Sequence, residues 1–345
     1  MRAAFGKFLR LAAAVALSGA FPFSTAFCDG IGDYVNSARA KTLESAFFSD
    51  ANRAGARGAA FFAVLDGECL AGRVSDSFAK KSLPLGDASA AVLSLVAENM
   101  QSSGAVSLSA DVSGFFSAFS ASGGKVAGAN ITNLLNQTAG IGYLAEKIPA
   151  DAAPDEFFSM LSQTGFSAPD TVFYRSRASV AAAGYALAYA FEPTSKNLKK
   201  SFVRCCGKYF FEPLGIKNPK YINFEKSVFP SIGFALSPDG VVRWLECETS
   251  KTPPILDSET VSSRRLRRAQ CGESAGGWRR FAGADGAFEC SGGAGKIACK
   301  ILVFESGGGS FAVAMFAGVD SVETAKKLFG RTENSIAEML KEKIK

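Results

Sequence analysis

Strand patterns at the two ends of the chain constrain its fold more than any other feature. Apolar residues over 59–65 and 68–74, separated by Asp66-Gly67, predict two strands joined by a tight turn. Near the other end, 277–318 predicts further antiparallel strands, with the glycine-rich 306–310 as the turn between the last two. An apolar stripe at helical spacing over 322–344 predicts a closing helix against that sheet.

The region between these ends, 86–235, is rich in alanine and serine and predicts helices. The resulting fold class is α/β (α+β), an antiparallel sheet flanked by helices with an inserted all-helical lobe. We expect one domain over 27–345, with a sheet subdomain at about 30–85 and 236–345 and a helical lobe at about 86–235. A functional groove is expected where the two parts meet.

The first 26 residues predict an export signal rather than part of the fold. Arg2, Lys7 and Arg10 precede a short apolar run, which ends at Ser24-Thr25-Ala26. That run is too short to span a bilayer as a helix. We therefore expect an exported protein, periplasmic or extracellular, that starts at Phe27. The alternative is a membrane-anchored lipoprotein acylated at Cys28, and membrane association is expected only with that lipid or with an uncleaved leader.

The charge and the metal-binding residues exclude several classes of function. The net charge of +6 falls when the leader is removed, and it is too small to indicate a nucleic-acid partner. The chain has no histidine, which excludes histidine-based triads and histidine-rich zinc sites. No metal and no cofactor is expected. The eight cysteines permit disulfides in an exported chain, but their connectivity stays open.

Several segments in a fixed order carry a resemblance to a known family. They are the helix after Asp87 that stops at Gly104, the stretches 104–116 and 131–141, the segment 172–176, the Phe-Glu-Pro-Leu-Gly-Ile run at 211–216, and 236–245. This succession resembles the serine β-lactamase and penicillin-binding-protein-like family from about Gly58 to Gly318. The resemblance implies a serine hydrolase fold, in which a serine at a helix start attacks an acyl carbon and a lysine one turn later takes its proton.

The nucleophile and the lysine of that family are replaced here. Counting back from Gly104 places Asp87 at the serine and Ala90 at the lysine. We expect the Asp87 carboxylate to cap the helix, where it would accept backbone N–H bonds. Ser89 is the alternative nucleophile, although Val92 occupies the position where an activating lysine would stand.

The other two catalytic motifs of the family are altered as well. Tyr174 is present, but Ser176 replaces the asparagine that follows it in the Tyr-x-Asn motif. On the predicted site-lining strand, Cys290 replaces the cation, while Ser291 and Gly292 are retained. We expect Tyr174, Ser291 and Gly292 to bind a ligand through a hydroxyl and strand N–H groups. Cys290 is expected to be a buried thiol or half of a disulfide.

Three altered motifs favour a pseudoenzyme whose groove binds a peptidoglycan-like peptide or an envelope protein. The alternative is an active serine hydrolase of the β-lactamase, D-amino-acid peptidase or esterase type with a non-standard nucleophile. A third possibility is an envelope interaction module that uses the fold only as a platform. The arginines between Arg264 and Arg268 predict a solvated helix face, with attraction to anionic lipid or cell-wall polymer as the alternative.

Overall fold

The computed structural model describes residues 31, 34–116, 128–222, 230–270, 275–284, 286–306 and 309–341. Its nine strands are β1 (Ala59–Leu65), β2 (Glu68–Val74), β3 (Leu83–Pro84), β4 (Lys220–Tyr221), β5 (Phe234–Leu236), β6 (Arg279–Arg280), β7 (Ala287–Ala294), β8 (Ile297–Ser306) and β9 (Gly309–Gly318). Its first five α-helices are α1 (Ser37–Arg53), α2 (Asp76–Ala79), α3 (Ser89–Ser102), α4 (Ile131–Asn136) and α5 (Pro154–Ser162). The other five are α6 (Arg177–Phe191), α7 (Leu198–Cys206), α8 (Pro238–Thr249), α9 (Ser258–Gln270) and α10 (Val322–Lys341).

The main sheet joins the two ends of the chain, as the strand patterns predict. Its six strands have the order β2-β1-β9-β8-β7-β6, and the pairs described are antiparallel. The predicted hairpin is confirmed, since Asp66 and Gly67 both have positive φ, which suits the tight turn between twisted strands. The predicted turn at 306–310 joins β8 to β9, although 307–308 lie outside the described residues.

Each face of the sheet is covered by its own hydrophobic cluster. On one face, Phe47 from α1 and Phe329 from α10 pack with Phe61 of β1. The predicted closing helix is therefore present, and its described part ends at Lys341. On the other face, alternate residues of the same strand, such as Phe62, join the cluster that contains α3, α6 and α8. Alternation along β1 thus buries side chains in both clusters.

The region between the two halves of the sheet is helical apart from short strands. Within it, β4 and β5 form a small three-stranded sheet with β3, in the order β3-β5-β4. Helix α7 continues directly into a π-helical turn at Gly207–Phe211. This helical segment ends at Gly215, which has a positive φ. The π-helical turn leads into the Phe-Glu-Pro-Leu-Gly-Ile run of the sequence, which starts at Phe211 and includes Gly215. The junction of this region with β7 is the place where the groove was expected.

Every cysteine in the described part of the chain is a free thiol. Cys290 and Cys299, on neighbouring strands, are both buried and unbonded to each other, and the adjacent Cys205 and Cys206 are also reduced. Cys28 and Cys271 lie outside the described residues, as does the predicted leader over 1–26. None of the described helices is long and apolar enough to cross a membrane.

Candidate functional site: a groove in which arginines and an aspartate replace the catalytic groups

The groove lies between the start of α3, the segment before α6 and strand β7. The side chains and backbone around it include Asp87, Ala90, Arg175, Ser176, Arg177, Ser231, Cys290 and Ser291. These residues leave about 50 Å³ of accessible space, room for about one or two water molecules. Most ligand pockets are several times larger. The groove is thus nearly filled by its own side chains.

Asp87, which the sequence resemblance places at the nucleophile, forms ion pairs with two arginines. Its Oδ1 accepts from Arg177 Nε at 2.8 Å, and its Oδ2 accepts from Arg175 Nη2 at 3.0 Å and from Arg177 Nη2 at 3.3 Å. Hydrogen bonding to Asp87 raises the pKa of Arg177 above its ordinary value. The carboxylate is therefore engaged from both sides by fixed cations.

The prediction that Asp87 caps the helix is wrong. A short 3₁₀ turn, Gly86–Ala88, precedes α3, and no side chain caps either element. The two guanidinium groups offer charge-assisted hydrogen bonds, which are stronger than those from neutral backbone N–H groups. The Asp87 carboxylate binds them instead of the helix end.

Ala90, at the position of the lysine, is covered by a glycine turn. Gly277, at positive φ, lies so close to the start of α3 that a Cβ there would come within 2.8 Å of the Ala90 Cβ and 2.5 Å of the Ala91 nitrogen. Only glycine fits such an approach at that φ without displacing the neighbouring backbone. The space above Ala90 is therefore partly taken by the turn, and a long side chain would have to move it.

Ser89, the alternative nucleophile, faces the core. Its side chain is fully buried, and its Oγ accepts a hydrogen bond from the Phe234 backbone nitrogen at 3.2 Å. It therefore connects α3 to β5 rather than facing the groove. The Ser89 hydroxyl is therefore enclosed, and within the described residues it is hydrogen-bonded to a backbone N–H rather than to the base that a serine nucleophile requires.

Ser176 and Tyr174 lie where the second catalytic motif was expected, but neither side chain replaces that motif. Ser176 is buried and caps α6, its Oγ accepting from Ser179 N at 3.1 Å. Tyr174 is 40% exposed and is not among the residues that line the groove. Gln137 holds this segment in place, since its carbonyl accepts from Tyr174 N and its Oε1 accepts from Ser176 N. The ligand-binding role of Tyr174 stays a prediction.

The sequence reasoning missed Arg175 and Arg177, which have the same i, i+2 spacing as the expected pair but start one residue later. The signal that could have revealed them was chemical. A carboxylate at position 87 needs a cationic partner if it is to be partly buried, and this segment was already predicted to face it.

Strand β7 places Cys290 and Ser291 at the groove and brings Gly292 close to the turn that precedes α3. Burial raises the pKa of the Cys290 thiol well above its ordinary value, which leaves it protonated and unreactive. The Ser291 hydroxyl accepts from Arg279 Nη2 at 3.4 Å. Gly292 is so close to the first turn that a Cβ there would lie 2.0 Å from the Leu85 oxygen, and Gly292 is not among the residues that line the groove.

A buried ion cluster lies behind α3, and it corrects the interpretation of the arginine-rich helix α9. Arg268 is fully enclosed, with Nη2 2.7 Å from Glu248 Oε2 and Nη1 3.1 Å from Glu305 Oε1. Arg264 is also buried, 3.3 Å from Glu248. These two arginines face the core, so neither the solvated helix face nor the lipid-attracting face describes them. Their burial fits the rule that an enclosed charge has a partner of opposite sign.

The described residues contain no group of histidine, cysteine or acidic side chains arranged to hold a metal ion. Around the groove, the donors are guanidinium groups and hydroxyls, and the one carboxylate is paired with cations. Such a set binds anions or polar groups rather than metals.

Comparisons by sequence identify no relative. No family model matches the chain, and no curated protein matches it.

Comparisons by structure identify the fold. A penicillin-binding protein homologue from Pyrococcus abyssi, an octamer, is similar with a TM-score of 0.64 and 14% identity over 87% of this chain and 77% of that one. A class C β-lactamase from Rhodobacter sphaeroides has a TM-score of 0.62 and 14% identity over 88% of this chain and 100% of its own. The structure of SurE with D-Leu has a TM-score of 0.68 and 14% identity over 88% and 76%.

The fold is therefore β-lactamase-like and penicillin-binding-protein-like, as the sequence resemblance predicts. At these identities the likeness establishes the fold and leaves the chemistry to the site.

Proposed function

We propose that this protein is an exported pseudoenzyme, a β-lactamase-like scaffold that binds a ligand without forming an acyl-enzyme. The observation that carries the proposal is the ion-paired Asp87 at the position of the nucleophile. A carboxylate held by two guanidinium groups is a weak nucleophile because its charge is stabilised by both. It also has no adjacent base to activate an attacking group.

The backbone around Asp87 supports the same conclusion. Acyl transfer needs N–H donors aimed at the place where the oxyanion develops. Gly293, on the strand beside Asp87, donates its N–H to the Leu85 carbonyl at 3.0 Å. That donor is already engaged within the protein, so it does not face a substrate. The Asp87 carboxylate and one nearby backbone N–H are thus both engaged within the protein.

The proposed ligand is a peptidoglycan-like peptide or a protein of the cell envelope, and the proposed location is the periplasm or the extracellular space. The leader over 1–26 supports export, and the fold supports a site at the junction of sheet and helices. The hydrolase alternative has less support, since Ser89 is enclosed and bonded to the backbone of β5.

Covalent labelling tests the proposal. The mature chain and its Ser89→Ala and Asp87→Ser variants would be incubated with a fluorescent penicillin and with a fluorophosphonate, beside an active serine β-lactamase as positive control. We expect no adduct on the mature chain by gel fluorescence or intact mass. An adduct that disappears in one serine-to-alanine variant would establish an active hydrolase.

Intact mass of the exported protein tests the location separately. A chain that begins at Phe27 supports cleavage by a signal peptidase. A diacylglyceryl group on Cys28 would instead place the protein among the lipoproteins.

A further inference from the structure

Two cations share a single carboxylate in the groove. The side chains of Arg175 and Arg177 are 58% and 57% exposed, whereas that of Asp87 is 23% exposed. The nearby Arg279 has its own partner, Glu289 Oε1 at 3.2 Å. Glu146 also lies near enough to contribute to the raised pKa of Arg177. More than half of each arginine side chain is therefore open to solvent, although both arginines bind Asp87.

The hydrogen bonds around Asp87 fit a planar group with two oxygens. Arg177 uses Nε and Nη2 on the two oxygens of Asp87, and Arg175 adds a donor to one of them. Such forked geometry is the one in which arginine recognises carboxylates. Because the arginines reach the solvent, a carboxylate from outside could take the same place once Asp87 turns aside.

A second polar group in the groove has no partner. Ser231 is 2% exposed and lines the cavity, and its Oγ makes no hydrogen bond within the described part of the chain. A buried hydroxyl without a partner loses its hydrogen bonds to water and gains none in return. The enclosed Ser231 hydroxyl thus lies in the wall of the groove, and the groups exposed there are the guanidinium groups of Arg175 and Arg177.

The size of the cavity limits which part of a ligand can enter. About 50 Å³ accommodates a carboxylate group but not a fused ring system or a peptide backbone. The rest of the molecule must lie outside, where Val172 and Tyr174 stand exposed shortly before Arg175 in the chain.

We propose that Arg175 and Arg177 bind a carboxylate group of the peptide or protein ligand, and that Asp87 occupies this site as an internal competitor in the free protein. The inference rests on the proposed binding function and specifies the chemical class of its ligand. The carboxylate is either the C-terminal group of a chain or the side chain of an acidic residue. The two sources differ in the atoms that are attached to the carboxylate.

Calorimetric titration of the mature protein tests whether an external carboxylate replaces Asp87 at the two arginines. The probes are N-acetyl-alanyl-alanine, the same dipeptide with a C-terminal amide, N-acetyl-alanyl-glutamate with its chain end amidated, and inorganic phosphate. We expect Asp87→Asn to bind a carboxylate probe about tenfold more tightly than the wild type does, since a difference of about one charge-assisted hydrogen bond has that effect. Arg177→Gln should lose that binding in both backgrounds.

The different probes distinguish a carboxylate at the end of a chain from one on an acidic side chain. Binding of only the free-acid dipeptide identifies a chain end, and binding of only the glutamate probe identifies an acidic side chain. Glu192→Gln is the matched control, because it removes the carboxylate from an ion pair with Arg204 outside the groove. It should leave the affinity unchanged. Asp87→Ser repeats the test if the asparagine variant is unstable.

The proposal is overturned if Asp87→Asn binds no carboxylate more tightly than the wild type does, if Arg177→Gln binds as well as its parent, or if the amidated dipeptide or phosphate binds best. Labelling the same preparations with fluorescent penicillin keeps the two proposals apart. Absent binding without labelling refutes only the carboxylate site, whereas labelling refutes the pseudoenzyme itself.

Discussion

The backbone N–H of Gly293 donates to the carbonyl of Leu85 at 3.0 Å, which connects strand β7 to the turn that precedes α3. The two backbones are also close at Gly86, since a Cβ there would lie 2.2 Å from the Gly293 oxygen. The groove beside Asp87 is narrow because these two backbones meet directly. Its shape therefore depends on glycines as much as on the charged side chains.

Gly292→Ala should lower the free energy of unfolding by about 1 to 3 kcal/mol, the usual cost of forcing extra volume into a packed site. The new Cβ would meet the Leu85 oxygen at 2.0 Å and the Asp87 nitrogen at 2.6 Å, both of them backbone atoms. Urea denaturation of the two proteins measures the difference. Gly114→Ala, at a position with open space around it, is the control. Equal stability of both variants would mean that β7 moves away from α3 without cost.

Ala90→Lys should destabilise the protein by a similar amount, about 1 to 3 kcal/mol, because the turn at Gly277 covers Ala90. Ala38→Lys, at an exposed position of α1, is the matched control and should be nearly neutral. Thermal unfolding compares the two.

The combined variant Asp87→Ser with Ala90→Lys should still hydrolyse no penicillin or ester, since the Gly293 donor stays bonded to Leu85. Turnover by that variant would show that the groove can still align a substrate.

Glu248→Gln should cost about 3 to 5 kcal/mol of stability, as expected when one member of a buried ion pair loses its charge. Its two oxygens accept from Trp244 and Arg268, and Arg264 lies 3.3 Å away. Glu246→Gln, on the same helix, is the control because Glu246 is only half-buried and is outside this cluster. Chemical denaturation of both variants provides the comparison. A loss as small as that of the control would mean that water already solvates the cluster.

Stability should fall at alkaline pH through the buried thiols. Burial raises the pKa of Cys205, Cys247 and Cys299 to about 12 from an ordinary value of 9.0. The folded state therefore holds these protons more tightly than the unfolded state does, so their contribution is fully present below pH 9.0 and is lost as the pH rises toward 12. Urea midpoints measured across this range should decline. The decline should be shallower in Cys299→Ala, and an identical slope in that variant would exclude Cys299 as a source.

Local patterns were sufficient for much of the fold. The Asp66-Gly67 turn and the alternation around it predict the first hairpin, because turn chemistry and strand period act within a few residues. The apolar stripe of α10 likewise predicts which face of that helix is buried. The order of segments between Gly58 and Gly318 predicts the fold that the structural comparisons show.

The chemistry of the groove depended on residues that are distant in the chain. The resemblance predicted that Asp87 and Ala90 replace the serine and the lysine, and a local rule predicted that the Asp87 carboxylate caps the helix. The carboxylate binds Arg175 and Arg177 instead, which follow about ninety residues later in the chain. The tertiary structure brings these guanidinium groups to it, and their charge-assisted hydrogen bonds are stronger than those from the backbone N–H groups of a helix start.

The arginines of α9 also separate what the sequence determines from what the tertiary structure determines. The sequence by itself determined that arginines recur along this helix, that the chain has no histidine, and that it has eight cysteines. Only the tertiary structure decided that Arg264 and Arg268 are buried, because their partners Glu98, Glu248 and Glu305 come from three separate elements. Charge along a chain is a local property, whereas the burial of a charge depends on which distant groups surround it.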